Sequence, residues 1–288
     1  MENEKNKLKE FSVLMSVYKN DIVDFFEEAL KSVTVKQKLK PAQVVIVKDG
    51  PVINNIDKII VRIREEEPDI EITICENSTN KGLAASLNKG IAACKYEYIA
   101  RMDADDISTP DRFYIQRKFC VENPSYGLIG SYISEFNYKI NDINSLRKVP
   151  IEQEKIVEMM KTRNPFNHMS VMYKKSDVIK AGGYSENIGK LEDYKLWIDM
   201  ALNGTNLHNI PAVLVNVRVG NGFIKRRSSR EEIVDWDDLQ NYLLQNRIIG
   251  IYKSYINKAY IRMFTYTPDY IKIIFYKYVL RQKNNKDV

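Results

Sequence analysis

The chain has 288 residues, 44 % hydrophobic and 28 % charged, which suits a soluble globular protein with one large α/β domain and an appendage, or two small domains. Two histidines exclude a His-rich zinc site, and three widely spaced cysteines (Cys75, Cys94 and Cys120) in apolar contexts read as thiols of a reducing compartment, not as a disulfide framework. The net charge of +6 lies wholly in residues 251–288, where eight Lys and Arg meet only Asp269 and Asp287.

In chain order, the start MENEKNKLKE has no apolar signal-peptide core, and no later run reaches the roughly 18 apolar residues of a membrane span. Phe11–Tyr18 (FSVLMSVY) is a short apolar run with β-branched residues and reads as a strand buried on both faces. Val23–Val33 follows with helical spacing. Gln43–Lys48 is a second strand, ended by Asp49-Gly50-Pro51. Ile56–Glu66 reads as a helix, Ile70–Cys75 as a strand, Gly82–Cys94 as an Ala-rich helix and Tyr96–Met102 as a fourth strand. This alternation predicts an α/β, Rossmann-like doubly wound and mostly parallel sheet. Beyond it, Thr109-Pro110 predicts a helix start, with Thr109 as N-cap and Pro110 at the first helical position. Tyr126–Phe136 reads as a strand, Glu152–Lys161 as a helix, Met169–Tyr173 as a strand, Leu191–Leu202 as a helix and Leu207–Val219 as a strand. From Arg230 the chain reads as all-helical.

The cluster Asp103-Ala104-Asp105-Asp106 follows a buried strand, at the sheet edge where open α/β folds bind ligands. Its three carboxylates repel one another unless a cation sits among them. An all-oxygen donor set favours Mg²⁺ or Mn²⁺ over zinc; an acidic loop capping the next helix is the plainer alternative. Asp49 ends strand two at the same edge, either to contact a nucleotide or to make a turn. Asn80-Lys81-Gly82 opens a helix whose N-terminus and lysine suit a diphosphate or serve as plain capping.

FSVLMSVYKND, VVIVKDG, NKGLAASLNKG, ARMDADD and LEDYKLW, in that order, resemble a family-2 glycosyltransferase of the GT-A fold, nearest to bacterial enzymes that build O-antigen, capsule or exopolysaccharide repeat units on a lipid-diphosphate. The resemblance covers about residues 11–220. It implies that Val17 and Tyr18 lie along the uridine, Asp49 reads the base and Lys81 lies near the base or phosphates. Asp103 would sit at the ribose, Asp105 would ligate Mn²⁺ or Mg²⁺ with Asp106 in support, and Asp193 would be the catalytic base. The family often has Asp-Asp-Gly-Ser after strand two; here Lys48-Asp49-Gly50-Pro51 leaves that work to Asp49. The Gln-X-X-Arg-Trp motif of processive synthases is absent, which implies addition of a single sugar. The donor implied is UDP-glucose or UDP-galactose, and the acceptor a lipid-diphosphate-linked saccharide.

An inverting displacement needs a base for the acceptor hydroxyl and counter-charge for the leaving group. Asp193 begins a helix beside Glu192, whose charge would raise its proton affinity; both acids equally suit a helix N-terminus. His168 precedes a strand near the same edge, as an acceptor-side contact or a loop histidine. Arg218 and the run Lys225-Arg226-Arg227 flank Gly220-Asn221-Gly222, and such a basic loop either closes over a diphosphate or is solvated surface. A sugar-nucleotide nucleotidyltransferase would want a Gly-rich loop after strand one, where Tyr18-Lys19-Asn20-Asp21 stands. A catalytically inactive membrane-binding module would have no need for Asp49, Asp105 and Asp193 together.

Residues 251–288 hold seven of the 18 tyrosines among basic residues, with Pro268 dividing two helices. Such a pair lies on an anionic membrane, packs on the catalytic domain, or joins a second copy as a homodimer. The neutral remainder argues against nucleic acid. The expected organisation is a GT-A domain over 1–225 and a basic-aromatic helical segment over 226–288, cytoplasmic and peripheral at the inner face of the membrane.

Overall fold

The computed structural model describes residues 8–140, 142, 145–219, 231–268 and 271–272. The elements run β1 (Phe11–Val17), α1 (Val23–Val33), β2 (Gln43–Lys48), α2 (Asn54–Glu66), β3 (Glu71–Glu76), α3 (Leu83–Ala93) and β4 (Tyr98–Met102). After β4 come β5 (Ile107–Ser108), α4 (Arg112–Glu122), β6 (Tyr126–Phe136), β7 (Ser145–Arg147) and α5 (Gln153–Met160). The chain continues through a 3₁₀ turn at His168–Ser170, β8 (Met172–Lys174), α6 (Lys175–Lys180), a 3₁₀ turn at Gly189–Leu191, α7 (Glu192–Leu202) and β9 (Asn206–Arg218). The described helices end with α8 (Glu231–Gln245) and α9 (Ile251–Tyr266).

One sheet of order β3-β2-β1-β4-β8-β6-β9-β5 carries them, with β7 beside β6. β3, β2, β1 and β4 run parallel to one another. Strand residues alternate between faces, and the two cores record it. Val13, Met15 and Val17 of β1 pack with Phe26 of α1, Ile60 of α2 and Phe113 of α4. Leu14, Val45 and Val47 point the other way, toward Leu87 of α3, Ile156 of α5 and Trp197 of α7. α3 approaches β1 closely because residue 90 is glycine: a Cβ there would lie 2.2 Å from Leu14 Cδ1.

The expected parallel winding holds through β4. Beyond it the sheet is mixed, since β8 runs antiparallel to both β4 and β6 while β9 lies parallel to β6. Two expected elements are corrected. The strand expected at Met169–Tyr173 begins as the 3₁₀ turn, because Ser170 donates N–H and Oγ–H to the Asn167 carbonyl at 2.8 and 2.9 Å. The helix expected from Pro110 starts at Arg112, and Asp111 at its N-cap makes no side-chain cap. Thr109 is still held to the sheet, donating its N–H to Leu214 O at 2.9 Å.

The C-terminal helices follow as expected from residue 231. Leu239 and Leu243 of α8 sit in the second core with Tyr194 and Trp197, and Tyr242 Oη donates to Asp199 Oδ1 at 2.5 Å. The expected boundary at 225/226 lies outside the described residues. Among the described residues, no helix is long and apolar enough to cross a membrane.

Leu239→Ala empties part of the core that also holds Trp197, so it should lower stability by about 2–5 kcal/mol. Urea unfolding read by tryptophan fluorescence checks this. A loss below about 0.5 kcal/mol, as for surface substitutions, would mean that α8 is no part of the second core.

Candidate active site

The acid loop is fixed at both ends. β4 delivers it, and β5 then pairs with β9 at Ile107–Asn216 and Ser108–Val215. Ile99 of β4 faces the second core, so Arg101 lies on that face too. Arg101 is 2 % exposed, and its Nη2 lies 2.5 Å from Asp103 Oδ1. Burial works against its charge, yet the Asp103 carboxylate more than offsets this and holds the guanidinium above its ordinary value. Its Nε and Nη1 are buried without a hydrogen-bond partner among the described residues. Arg112, also buried, donates Nη2–H to Arg101 O at 2.7 Å; burial first, then the Arg101 charge, pushes it down to about 9.

Asp106 is buried and accepts the Arg218 N–H at 2.9 Å. Burial, reinforced by Asp105 and Asp103, holds its carboxyl well above the usual range. Asp105 has an open edge, but the surrounding protein desolvates it and, with Asp103, pushes it up to about 6. Asp21, in the loop after β1, accepts the Tyr18 N–H at 2.9 Å. Burial pushes it up to about 7, and the charges of Asp105 and Asp103 add to the rise. Four carboxylates thus share one end of the sheet.

Asp49 is turned inward. Its Oδ1 accepts from Asn77 Nδ2 at 3.0 Å and Lys81 N at 2.7 Å, and its Oδ2 accepts from Gly82 N at 3.0 Å. It therefore holds the loop that opens α3 and presents an exposed Lys81. Gly50 permits this contact: its φ is +85°, and a Cβ would lie 2.8 Å from Asn80 N. Val17 is buried in the first core, while Tyr18 beside it is exposed.

Asp193 stands in the first turn of α7. Its Oδ2 accepts from Asn164 Nδ2 at 2.7 Å and its Oδ1 from Tyr194 N at 2.6 Å. Burial raises its carboxyl, and those two donors and Arg101 act against the rise. Glu192 is pushed up to about 7, by burial first and then by the Asp193 charge. Burial is thus the first cause of the rise in both carboxyls. His168 Nε2 shares a 2.9 Å hydrogen bond with Tyr184 Oη, and burial, with the Arg101 charge added, keeps the imidazole neutral.

Arg218 ends β9 and is committed to the protein. It donates Nε–H to Asp105 O at 3.2 Å, pairs with Glu28 at 2.6 Å, and stacks 3.8 Å from the Phe25 ring centroid. Arg226 and Arg227 lie outside the described residues. Sequence reasoning missed Asp21, Arg101 and Asn164. Arg101 carried a signal, a charge within a strand that is otherwise apolar; Asp21 and Asn164 sit in loops without one.

The family profile described as Glycosyl transferase family 2 matches residues 12–179. An uncharacterized glycosyltransferase of Haemophilus influenzae is 39 % identical over 217 residues, 75 % of this chain and 79 % of that protein. The UDP-Gal:alpha-D-GlcNAc-diphosphoundecaprenol beta-1,3-galactosyltransferase of Escherichia coli is 32 % identical over 273 residues, 94 % of this chain and 97 % of its own. Among solved structures, S. aureus TarS 1-349 superposes with a TM-score of 0.61 at 16 % identity, over 82 % of this chain and 65 % of that one. The mannosyltransferase PcManGT of Pyrobaculum calidifontis, in complex with GDP-Man and Mn²⁺, gives 0.59 at 17 % identity, over 84 % and 65 %.

Glu192 moves from an ordinary 4.5 to about 7 on folding. Below pH 4.5 it is protonated in both states; above it the unfolded chain loses the proton first, so this group's stabilising share is lost as pH rises to about 7. Glu192→Gln should therefore flatten the fall of stability across that window, by up to about 1.4 kcal/mol per pH unit. Urea melts at several pH values measure it, and equal slopes for variant and wild type would contradict the assignment.

Proposed function

The chain belongs to glycosyl transferase family 2 and has the GT-A fold, and from that premise we propose that it transfers a single hexose from a UDP-sugar to a lipid-diphosphate-linked saccharide, with inversion and with a divalent cation. The relative that matches over 94 % of this chain is named for galactosyl transfer to a GlcNAc-diphosphoundecaprenol. That name supports UDP-galactose as donor, with UDP-glucose next, and a role in assembling O-antigen or other surface polysaccharide. A lipid-linked acceptor places the enzyme in the cytoplasm, peripheral at the inner membrane face.

One observation carries the mechanism: Arg101, a buried cation paired with Asp103 of the acid loop, also exerts its charge on Asp193, Asp105 and Asp106. Asp193 takes the acceptor hydroxyl proton. Burial raises its proton affinity toward a working value, and Asn164 and the Tyr194 N–H fix both carboxylate oxygens. Asp103, set by Arg101, meets the ribose. Tyr18 lines the base, Val17 supports it from the core beneath, and Asp49 acts chiefly by shaping the loop that offers Lys81 to the phosphates.

The crowded carboxylates fit a hard divalent cation, because each raises the proton affinity of another. Among the described residues no three Asp, Glu, His or Cys side chains close around one point. An ion held at Asp105, with Asp106 behind it, would complete its shell with diphosphate oxygens and water. Mn²⁺ or Mg²⁺, when bound, supplies positive charge to the departing diphosphate.

Release of UDP from UDP-galactose and UDP-glucose, with a GlcNAc-diphosphate-lipid acceptor and Mn²⁺, Mg²⁺ or EDTA, tests this reading. Asp193→Asn should lower kcat by about 10²–10⁴-fold while UDP binding persists. Asp105→Ala should abolish the metal response. A kcat for Asp193→Asn within about threefold of wild type, where removal of a general base should cost far more, would remove Asp193 as the base. Full turnover in EDTA would remove the cation.

A further inference from the structure

Helix α9 is inside out. A surface helix of a water-soluble protein buries an apolar stripe and shows water its polar face. In α9 the residues turned inward include Ser254, 3 % exposed, and Asn257, 7 % exposed. Asn257 Nδ2 donates to Lys161 O and to Gln240 Oε1, each at 2.8 Å. Tyr252, Tyr255, Ile256, Tyr260, Met263 and Tyr266 point outward, between 47 % and 83 % exposed. Their spacing of three and four residues keeps them on one stripe.

The charge carried by α9 itself has one sign. No Asp or Glu occurs from Ile251 to Pro268, where Lys253, Lys258 and Arg262 stand. Lys258 bonds Asn241 Oδ1 at 2.6 Å and Arg262 pairs with Asp237 at 2.5 Å, which leaves Lys253 exposed at the edge of the stripe. The sequence beyond residue 272 adds four basic residues against Asp287 alone. A second copy docked through α9 would set like charges face to face, which costs affinity. An anionic bilayer offers the complementary charge. Tyrosine, with an apolar ring and a polar tip, suits the boundary between headgroups and acyl chains.

We propose that the outward stripe of α9, edged by Lys253, is a docking surface for an anionic lipid bilayer. This rests on the membrane placement given above, though not on the identity of donor or acceptor. The surface is coupled to the site by a short strut. Asn257 holds Lys161 O, and three residues further Asn164 holds Asp193. Docking through α9 therefore brings the base close to the membrane, where a lipid-linked acceptor presents its sugar.

Sedimentation of the full chain with vesicles tests the surface, comparing phosphatidylcholine alone with phosphatidylcholine containing phosphatidylglycerol, at low and high salt. Wild type should bind the anionic vesicles, more weakly at high salt. The double variant Tyr255→Ser/Ile256→Ser, and separately Lys253→Glu, should each lower partitioning by at least about tenfold. Both should keep wild-type melting and wild-type UDP release with a short-chain, water-soluble acceptor. Unchanged partitioning in both variants, or no vesicle binding by wild type, would overturn the proposal. A wild-type dimer that the double variant converts to monomer would overturn it in favour of a self-interface. Failure of every donor and acceptor while the variants still lose vesicle binding would defeat the proposed reaction and leave the surface standing.

Discussion

A guanidinium removed from water costs several kcal/mol unless a carboxylate meets it with good geometry. Arg101 imposes that requirement on the end of β4. Among the described residues only Asp103 answers it directly, so the position of Asp103 is tied to the core and not to the loop alone. The next residues inherit the placement. Asp106 is fastened to Arg218 at the end of β9, and Asp105 is left with an open edge. Behind Arg101, Arg112 gives up much of its own proton affinity to remain in the same interior. The positive charge also opposes the rise of Asp193 and Glu192 at the start of α7. One buried cation thus acts on both the acid loop and the Glu192-Asp193 pair.

The first four strands were legible because each is a short run with apolar and β-branched residues between turn signals, and β1 and β2 are mostly apolar, as strands buried on both faces must be. The acid loop and the Glu192-Asp193 pair were legible as clusters of charge placed directly after or at the start of such elements. Short elements were not: β5 has two residues and α6 has six, too few for a period to show. Partnerships across the chain were equally hidden. Asp106 meets Arg218 across 112 residues, and Asp193 meets Asn164 across 29. Their chemistry is ordinary, and only the fold brings them together.

Asp49 and Arg218 show what a motif does not say. The pattern around Asp49 points to a nucleotide contact, while its carboxylate accepts three hydrogen bonds from its own chain. Arg218 reads as part of a basic loop, yet it is a strand residue clamped by Glu28 and two aromatic rings. Both prepare the site by holding backbone in place, which costs a side chain's freedom and gains a fixed loop. The tail divides in a similar way. α8 belongs to the second core, while α9 turns its apolar stripe outward, a distinction that composition alone could not make because both helices mix polar and apolar residues.

The most direct measurement is a crystal structure with Mn²⁺ and an unreactive UDP-sugar analogue. The account predicts anomalous density for the ion between the Asp105 carboxylate and the diphosphate, with the anomeric carbon of the sugar facing Asp193 on the side opposite the diphosphate. An ion bound away from Asp105, or a sugar whose anomeric carbon faces away from Asp193, would contradict it.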